Sequence, residues 1–172
     1  MNPIVLPLPS IHGIIAGIPH ALIGGYAVNV WVPPRETSDI DLTIAADHAS
    51  FARLAERLGS AGLTKTEEHG AEAPSGPDFQ RFKSKSGRII VEFLVAKTAF
   101  QHEVIQRAVP LPSGLRVATP EDLLVLKLIA DRSKDEKDLI ALCALPDLDW
   151  GYVDDWAEEW GVRDRIPRYR RK

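Results

Sequence analysis

Ala21-Leu22-Ile23-Gly24-Gly25-Tyr26-Ala27, followed by Arg35-Glu36-Thr37-Ser38-Asp39-Ile40-Asp41-Leu42, is the stretch from which the rest of the chain is read. His20 to Ile23 reads as a short buried strand that runs into two glycines. Tyr26 to Val32 suits a helix that must stop before Pro33-Pro34, because a residue preceding proline is pushed out of the helical region. Val28, Val30 and Val32 would also suit a strand, since β-branched side chains are stiff in a helix. Asp39 to Ala45 alternates, with Ile40, Leu42 and Ile44 on one side and Asp39, Asp41 and Thr43 on the other, which is the period of a strand.

That period decides the chemistry. Asp39 and Asp41, two residues apart on a strand, leave the same face with at most roughly 7 Å between their Cα atoms. Two carboxylates so close repel unless a cation lies between them. Magnesium takes oxygen ligands, typically one or two carboxylates together with substrate phosphates. A third acid on a neighbouring strand would complete an arrangement for in-line phosphoryl transfer. Glu92 is the candidate, because it interrupts the apolar run Ile89-Ile90-Val91 and Phe93-Leu94-Val95, where an unpaired charge is costly to bury. Gly24-Gly25, between strand and helix, offers bare backbone and a helix N-terminus to a phosphate. Each signal has a plainer alternative: two solvated acids on an exposed strand face, and an ordinary tight turn.

Outward from this stretch, Ser10–Ala16 reads as a short helix ended by Gly17 and Pro19. A helix capped by Asp47 runs to about Leu58 and ends at Gly59. Pro74, Gly76 and Pro77 mark a loop from Ala71 to Asp78, and Phe79–Ser84 and Arg88–Val95 form an antiparallel hairpin about Lys85-Ser86-Gly87. Lys97–Ala108 reads as helical and Leu115–Ala118 as a short strand. Thr119-Pro120-Glu121-Asp122 is a helix start, with a capping hydroxyl, proline at the first position and acids in the first turn. Helices are expected over about Asp135–Ala144 and Asp154–Trp160. The pattern is α/β of the α+β kind: a small mixed β-sheet flanked by helices, then C-terminal helices.

The two blocks in this order, a hydrophobic-Gly-Gly turn and an Asp-hydrophobic-Asp strand, resemble the DNA polymerase beta-like nucleotidyltransferase superfamily. The segment Thr119–Leu139, with a helical Lys127 and the run Arg132-Ser133-Lys134-Asp135-Glu136-Lys137-Asp138, resembles the AbiEii-type toxin branch. The resemblance implies a nucleotidyltransferase fold with Asp39, Asp41 and Glu92 as metal ligands and catalytic acids. It implies Gly24, Gly25 and Ser38 near the triphosphate, catalytic Lys127 approaching phosphate from the C-terminal helices, and Asp131 one turn further on. Mg²⁺, with Mn²⁺ as a substitute, would be the cofactor, and a nucleoside triphosphate (NTP) the donor. The acceptor hydroxyl would be on tRNA, and an antitoxin the partner. A small-molecule acceptor such as an aminoglycoside is the rival within the same chemistry, and an inactive nucleotide-binding or interaction module is the rival outside it. Two departures stand out: the third acid is commonly Asp, and active transferases often carry Ser where this chain has Gly25.

Composition sets the outer bounds. At 172 residues, 45% hydrophobic and 26% charged, the chain is ordinary globular protein, with a net charge of -3 that excludes nucleic-acid binding by bulk charge. One nucleotidyltransferase-like domain is expected over residues 1–162, with its core at about 20–118 and a helical part at about 119–162. A basic, mobile tail follows at 163–172. Its Tyr169 and six basic residues could meet RNA, but a solubilising role is the simpler reading. Cys143 is the sole cysteine and reads as a core thiol. Met1–Gly25 lacks a basic leader region and is broken by prolines, so the expectation is a cytoplasmic protein without membrane contact. Lys127 and Asp131 fit a surface helix pair, and Lys134, Asp135, Lys137 and Asp138 a solvated turn. Trp150, Trp156 and Trp160 read as packing residues, and the five histidines show no ligand spacing.

Overall fold

The strand β2 (Asp39–Ile44) lies at the middle of a seven-stranded mixed sheet. The computed structural model describes residues 8–170; Met1–Pro7 of the expected leader-free start, and Arg171 and Lys172 of the basic run, lie outside the described residues. Ile40, Leu42 and Ile44 are fully buried, as their alternation requires, and Asp39 and Asp41 take the opposite face. One neighbour is β1 (His20–Ile23), antiparallel, with Ile23 opposite Asp41. The other is β5 (Ile90–Val95), parallel, with Glu92 opposite Asp41. Beyond β5 lie β4 (Phe79–Ser84) and the edge strand β3 (Leu63–His69), both antiparallel to their neighbours; beyond β1 lie the short β7 (Arg116–Val117) and β6 (Val109–Pro110).

Helices follow where capping chemistry starts them. After α1 (Leu8–Ile14), helix α2 (Gly24–Trp31) leaves β1 with no intervening loop. Gly24 and Gly25 are therefore its first turn rather than a turn before it. α3 (His48–Ser60) is capped by Asp47, which accepts from the Ser50 N–H at 2.7 Å. It runs through Gly59 and stops at Gly62, whose φ of +83° an L side chain rarely adopts. Phe51 of α3 packs edge-on against Phe93, 6.4 Å between ring centres, and Phe82 meets the same ring at 6.0 Å. α4 (Ala99–Arg107) opens with a reciprocal capping box between Thr98 and Gln101. α5 (Pro120–Ala130) begins as its sequence predicts, Thr119 accepting from the Asp122 N–H. α6 (Glu136–Cys143) and α7 (Trp150–Glu159) complete the helical half, and α7 starts four residues earlier than expected because Asp149 caps it.

Two corrections concern the chain's edges. β3 carries no apolar alternation: of its residues only Leu63 is buried, and a bulge interrupts pairing between Lys65 and Glu67. Backbone pairing to β4 alone makes it a strand, which side-chain periodicity does not register. Over its described residues, 163–170, the basic C-terminal run is packed against the helices rather than a mobile tail. Arg163–Arg168 forms a 3-10 helix with Ile166 buried, the Arg165 guanidinium donates to the Leu128 carbonyl at 2.6 Å, and Arg170 stacks 4.0 Å over Trp150. No helix among the described residues is long and apolar enough to cross a membrane.

Candidate functional site

The site is a row of residues that cross-strand register brings together. Reading across β1, β2, β5, β4 and β3, Ile23 faces Asp41, Asp41 faces Glu92, Glu92 faces Arg81, and Arg81 faces Glu67. Asp39, Asp41 and Glu92 are half-buried, neither sealed off nor fully solvated. The Asp41 and Glu92 carboxylates face one another across the strand pair, an apposition of like charges that favours a proton on Asp41. Burial, the charge and hydrogen bond of Glu92 and the charge of Asp39 together push Asp41 up to about 7, against a smaller pull from Arg132.

Asp39 stands apart: its Oδ1 accepts from the Ser38 hydroxyl at 2.6 Å. Among the described residues no three His, Cys, Asp or Glu side chains stand close enough to enclose a metal ion. What the row offers is an all-oxygen donor pair, with Asp39 adjacent on the same strand face, whose mutual repulsion a hard divalent cation would relieve. Burial and the charge of Asp39 also raise the Tyr26 phenol, so Tyr26 lies beside this face.

Gly24 is where a larger residue would not fit. Its φ is +67°, and a Cβ built on it would stand 1.8 Å from the Asp41 Oδ2. Backbone and carboxylate are in direct apposition, a contact only glycine permits. At Gly25 a Cβ would meet the Thr37 Oγ1 at 2.6 Å and the Arg35 guanidinium at 3.4 Å. The loop after α2 is clamped onto that helix through Asn29, which accepts from the Arg35 N–H at 3.0 Å and donates to the Arg35 carbonyl at 2.7 Å.

Arg35 leads to an ion cluster that sequence reasoning missed. Its Nε and Nη2 fork the Asp138 carboxylate, both at 2.6 Å. Asp138 also meets the Lys127 Nζ at 2.8 Å, Lys127 meets Asp135 at 2.6 Å, and Asp135 accepts from the Arg132 Nε at 2.6 Å. Burial alone would raise both aspartates, but the bonds to Lys127 with Arg132, and to Arg35 with Lys127, outweigh it and hold both below the usual carboxylate range. Two expectations are thereby corrected. Lys127 pairs with Asp135 and Asp138 rather than Asp131, and Asp135 and Asp138 are buried, not solvated. Asp131, in a left-handed conformation at the end of α5, faces Arg165 at 3.6 Å and Arg168 at 4.0 Å. Cys143 is half-buried, and burial lifts its thiol to about 11, the state of an unreactive packing group.

The family profile described as Nucleotidyl transferase AbiEii toxin, Type IV TA system, matches residues 17–154, from the residues before β1 through the acids, the ion cluster and into α7. The chain belongs to the AbiEii nucleotidyltransferase toxin family. It is accordingly a nucleotidyltransferase of a toxin–antitoxin class. A comparison with curated proteins finds no match. Solved structures similar to this AbiEii-family chain include the lincosamide antibiotic adenylyltransferase LnuA, lincomycin-bound. It shows 15% identity over 80% of this chain and 95% of that one, with a TM-score of 0.60. ANT(2")-Ia in complex with adenylyl-2"-tobramycin shows 17% identity over 95% and 94%, with a TM-score of 0.51. At such identities the likeness is one of fold, and it extends to the mixed sheet and the helical half of the AbiEii-family architecture.

Proposed function

We propose that this protein is a Mg²⁺-dependent enzyme that transfers a nucleoside monophosphate from an NTP to an acceptor hydroxyl on tRNA, acting in the cytoplasm as the toxin of a toxin–antitoxin pair. The observation that carries the reading is the register of Asp41 against Glu92 with the Gly24 backbone in contact with Asp41. Asp41 and Glu92 would hold the cation, with Asp39 joining them once its carboxylate turns from Ser38, and the cation when bound supplies charge neutralisation and Lewis acidity at the phosphate oxygens. The N–H groups at the start of α2, beginning at Gly24 and Gly25, and the Ser38 hydroxyl would orient the triphosphate. Lys127 acts at one remove, holding Asp138 and through it the Arg35 guanidinium beside Gly25. Phosphoryl transfer asks little of a protein beyond such positioning and charge.

An RNA acceptor is favoured by the cleft of about 360 Å³ lined by Asp131, Arg132, Ser133, Glu136, Arg168 and Tyr169. It combines two half-exposed guanidinium groups with an aromatic ring, the means by which a phosphodiester strand is held. Asp131 contributes there by steadying Arg168. A second reading, a small-molecule acceptor, is favoured by the overlap with nearly the whole of ANT(2")-Ia and LnuA.

Incubation of purified protein with Mg²⁺, each α-labelled NTP, and either total tRNA or a panel of aminoglycosides and lincosamides separates the readings. Label on tRNA, abolished by Asp41→Ala and by EDTA, is the expected result. Label on an antibiotic alone would overturn the RNA acceptor, and nucleotide binding without transfer to either would overturn the transferase mechanism.

A further inference from the structure

We infer that Arg81, on β4, is the positioning residue of Glu92: it grips one carboxylate oxygen so that the other is presented to Asp41 and to a cation held there. The inference rests on the proposed reading of Asp39, Asp41 and Glu92 as cation ligands. Arg81 directs two nitrogens to a single atom, Nε at 2.6 Å and Nη2 at 2.5 Å from the Glu92 Oε1. The fork leaves Oε2 outside it, and in the strand register Glu92 lies between Arg81 on one side and Asp41 on the other. The third nitrogen, Nη1, donates to the Glu67 Oε2 on β3, and the Glu67 Oε1 in turn meets the His69 Nε2 at 2.9 Å.

Arg81 is therefore held from behind and is not free to act as an anion receptor itself. All three of its donor nitrogens serve carboxylates: two aim at Glu92 and the third secures the guanidinium. A glutamate is one methylene longer than an aspartate and has one more torsion to fix, and Arg81 supplies that restraint. Outer partners of this kind orient ligating carboxylates, and their loss typically weakens metal affinity or activity about 10–100-fold. The position is set by backbone pairing: Glu67, Arg81 and Glu92 are direct cross-strand neighbours on β3, β4 and β5.

The alternative role for Arg81 is charge alone, and the two differ in sign. Removing a cation beside a cation site would tighten metal binding, whereas removing an orienting fork would weaken it. Arg81→Lys keeps the charge and loses the two-pronged grip. Titration of the full chain with Mn²⁺ alone, followed by electron paramagnetic resonance, reads the difference. Arg81→Lys is expected to bind Mn²⁺ about 10–100-fold more weakly than the native protein. In a Glu92→Gln background the same change should cause no further loss. Glu67→Gln, which keeps both members of the pair, should give a smaller loss in the same direction, and serves where Arg81→Lys lowers Tm. Native affinity in Arg81→Lys, or an equal loss with and without Glu92, overturns the proposal while the cation site stands. Unchanged Mn²⁺ affinity in Asp41→Asn removes the cation site, and the proposal with it.

Discussion

Asp41 is where folding and function pull against each other. Its pKa rises from 3.8 to about 7 in the folded chain, so between those values the folded state binds more protons than the unfolded one. Without a cation, stability therefore falls as pH rises through that window. Asp41→Asn is expected to raise Tm at about pH 8 in EDTA while abolishing metal-dependent nucleotide binding; a lowered Tm in EDTA would make Asp41 structural. Metal binding by the native protein should strengthen as pH rises through about 7, as the Asp41 proton leaves, which calorimetry in buffers of different protonation enthalpy would detect as proton release. Gly24→Ala forces a side chain into the left-handed region and onto the Asp41 carboxylate. It is expected to cost about 2 kcal/mol, or about 4–8 °C in Tm, and to eliminate nucleotide binding. Asp39, Asp41, Glu92 and the two glycines are legible in the sequence because a two-residue period and an interrupted apolar run are local signals. Arg81 is not, because nothing local distinguishes it from Lys83 or Lys85; only the register of the hairpin puts it opposite Glu92.

The elements repeat that division between local and distant information. β1, β2, α3 and α5 are readable because alternation and capping residues lie within each segment. β3 is invisible to the same reading, since an edge strand with one buried residue has no face to pattern. Asp138 looks solvated in sequence because its partner Arg35 lies about a hundred residues away. The junction of β1 with β7 gives an element-scale prediction. His20 is buried, its Nδ1 2.8 Å from the Ile18 carbonyl, and its Nε2 accepts from the Arg116 N–H at 3.2 Å, which fixes the neutral tautomer. Burial lowers its pKa below 6.5, outweighing the Ile18 bond that raises it. The unfolded chain thus binds more protons just below pH 6.5: this contribution to stability is complete above that value and is lost as pH falls beneath it. His20→Gln should flatten the decline in Tm between about pH 7 and pH 5; an unchanged slope would rule out His20 as its source.

At the scale of the molecule, the sheet carries the acids and the helical half carries the ion cluster, with Arg35 as the tie between them. Lys127 is buried between two aspartates, so Lys127→Met leaves two buried carboxylates each short of one cationic partner, with only Arg132 and Arg35 still paired to them. It is expected to destabilise by about 3–5 kcal/mol in urea denaturation, with or without nucleotide. Loss of transfer with unaltered stability would instead make Lys127 a direct phosphate ligand. The junction of β1 and α2 has a consequence for motion. Strand passes into helix without a connecting segment, and Gly24 lies hard against the central strand, so the anion-facing backbone has no hinge of its own. Any tightening on a substrate is then expected in α5 and α6, which reach this junction through the Asp138–Arg35 pair. Hydrogen–deuterium exchange with NTP and Mg²⁺ should accordingly slow most across residues 120–143, with the amides of β1 and β2 already slow in the free protein.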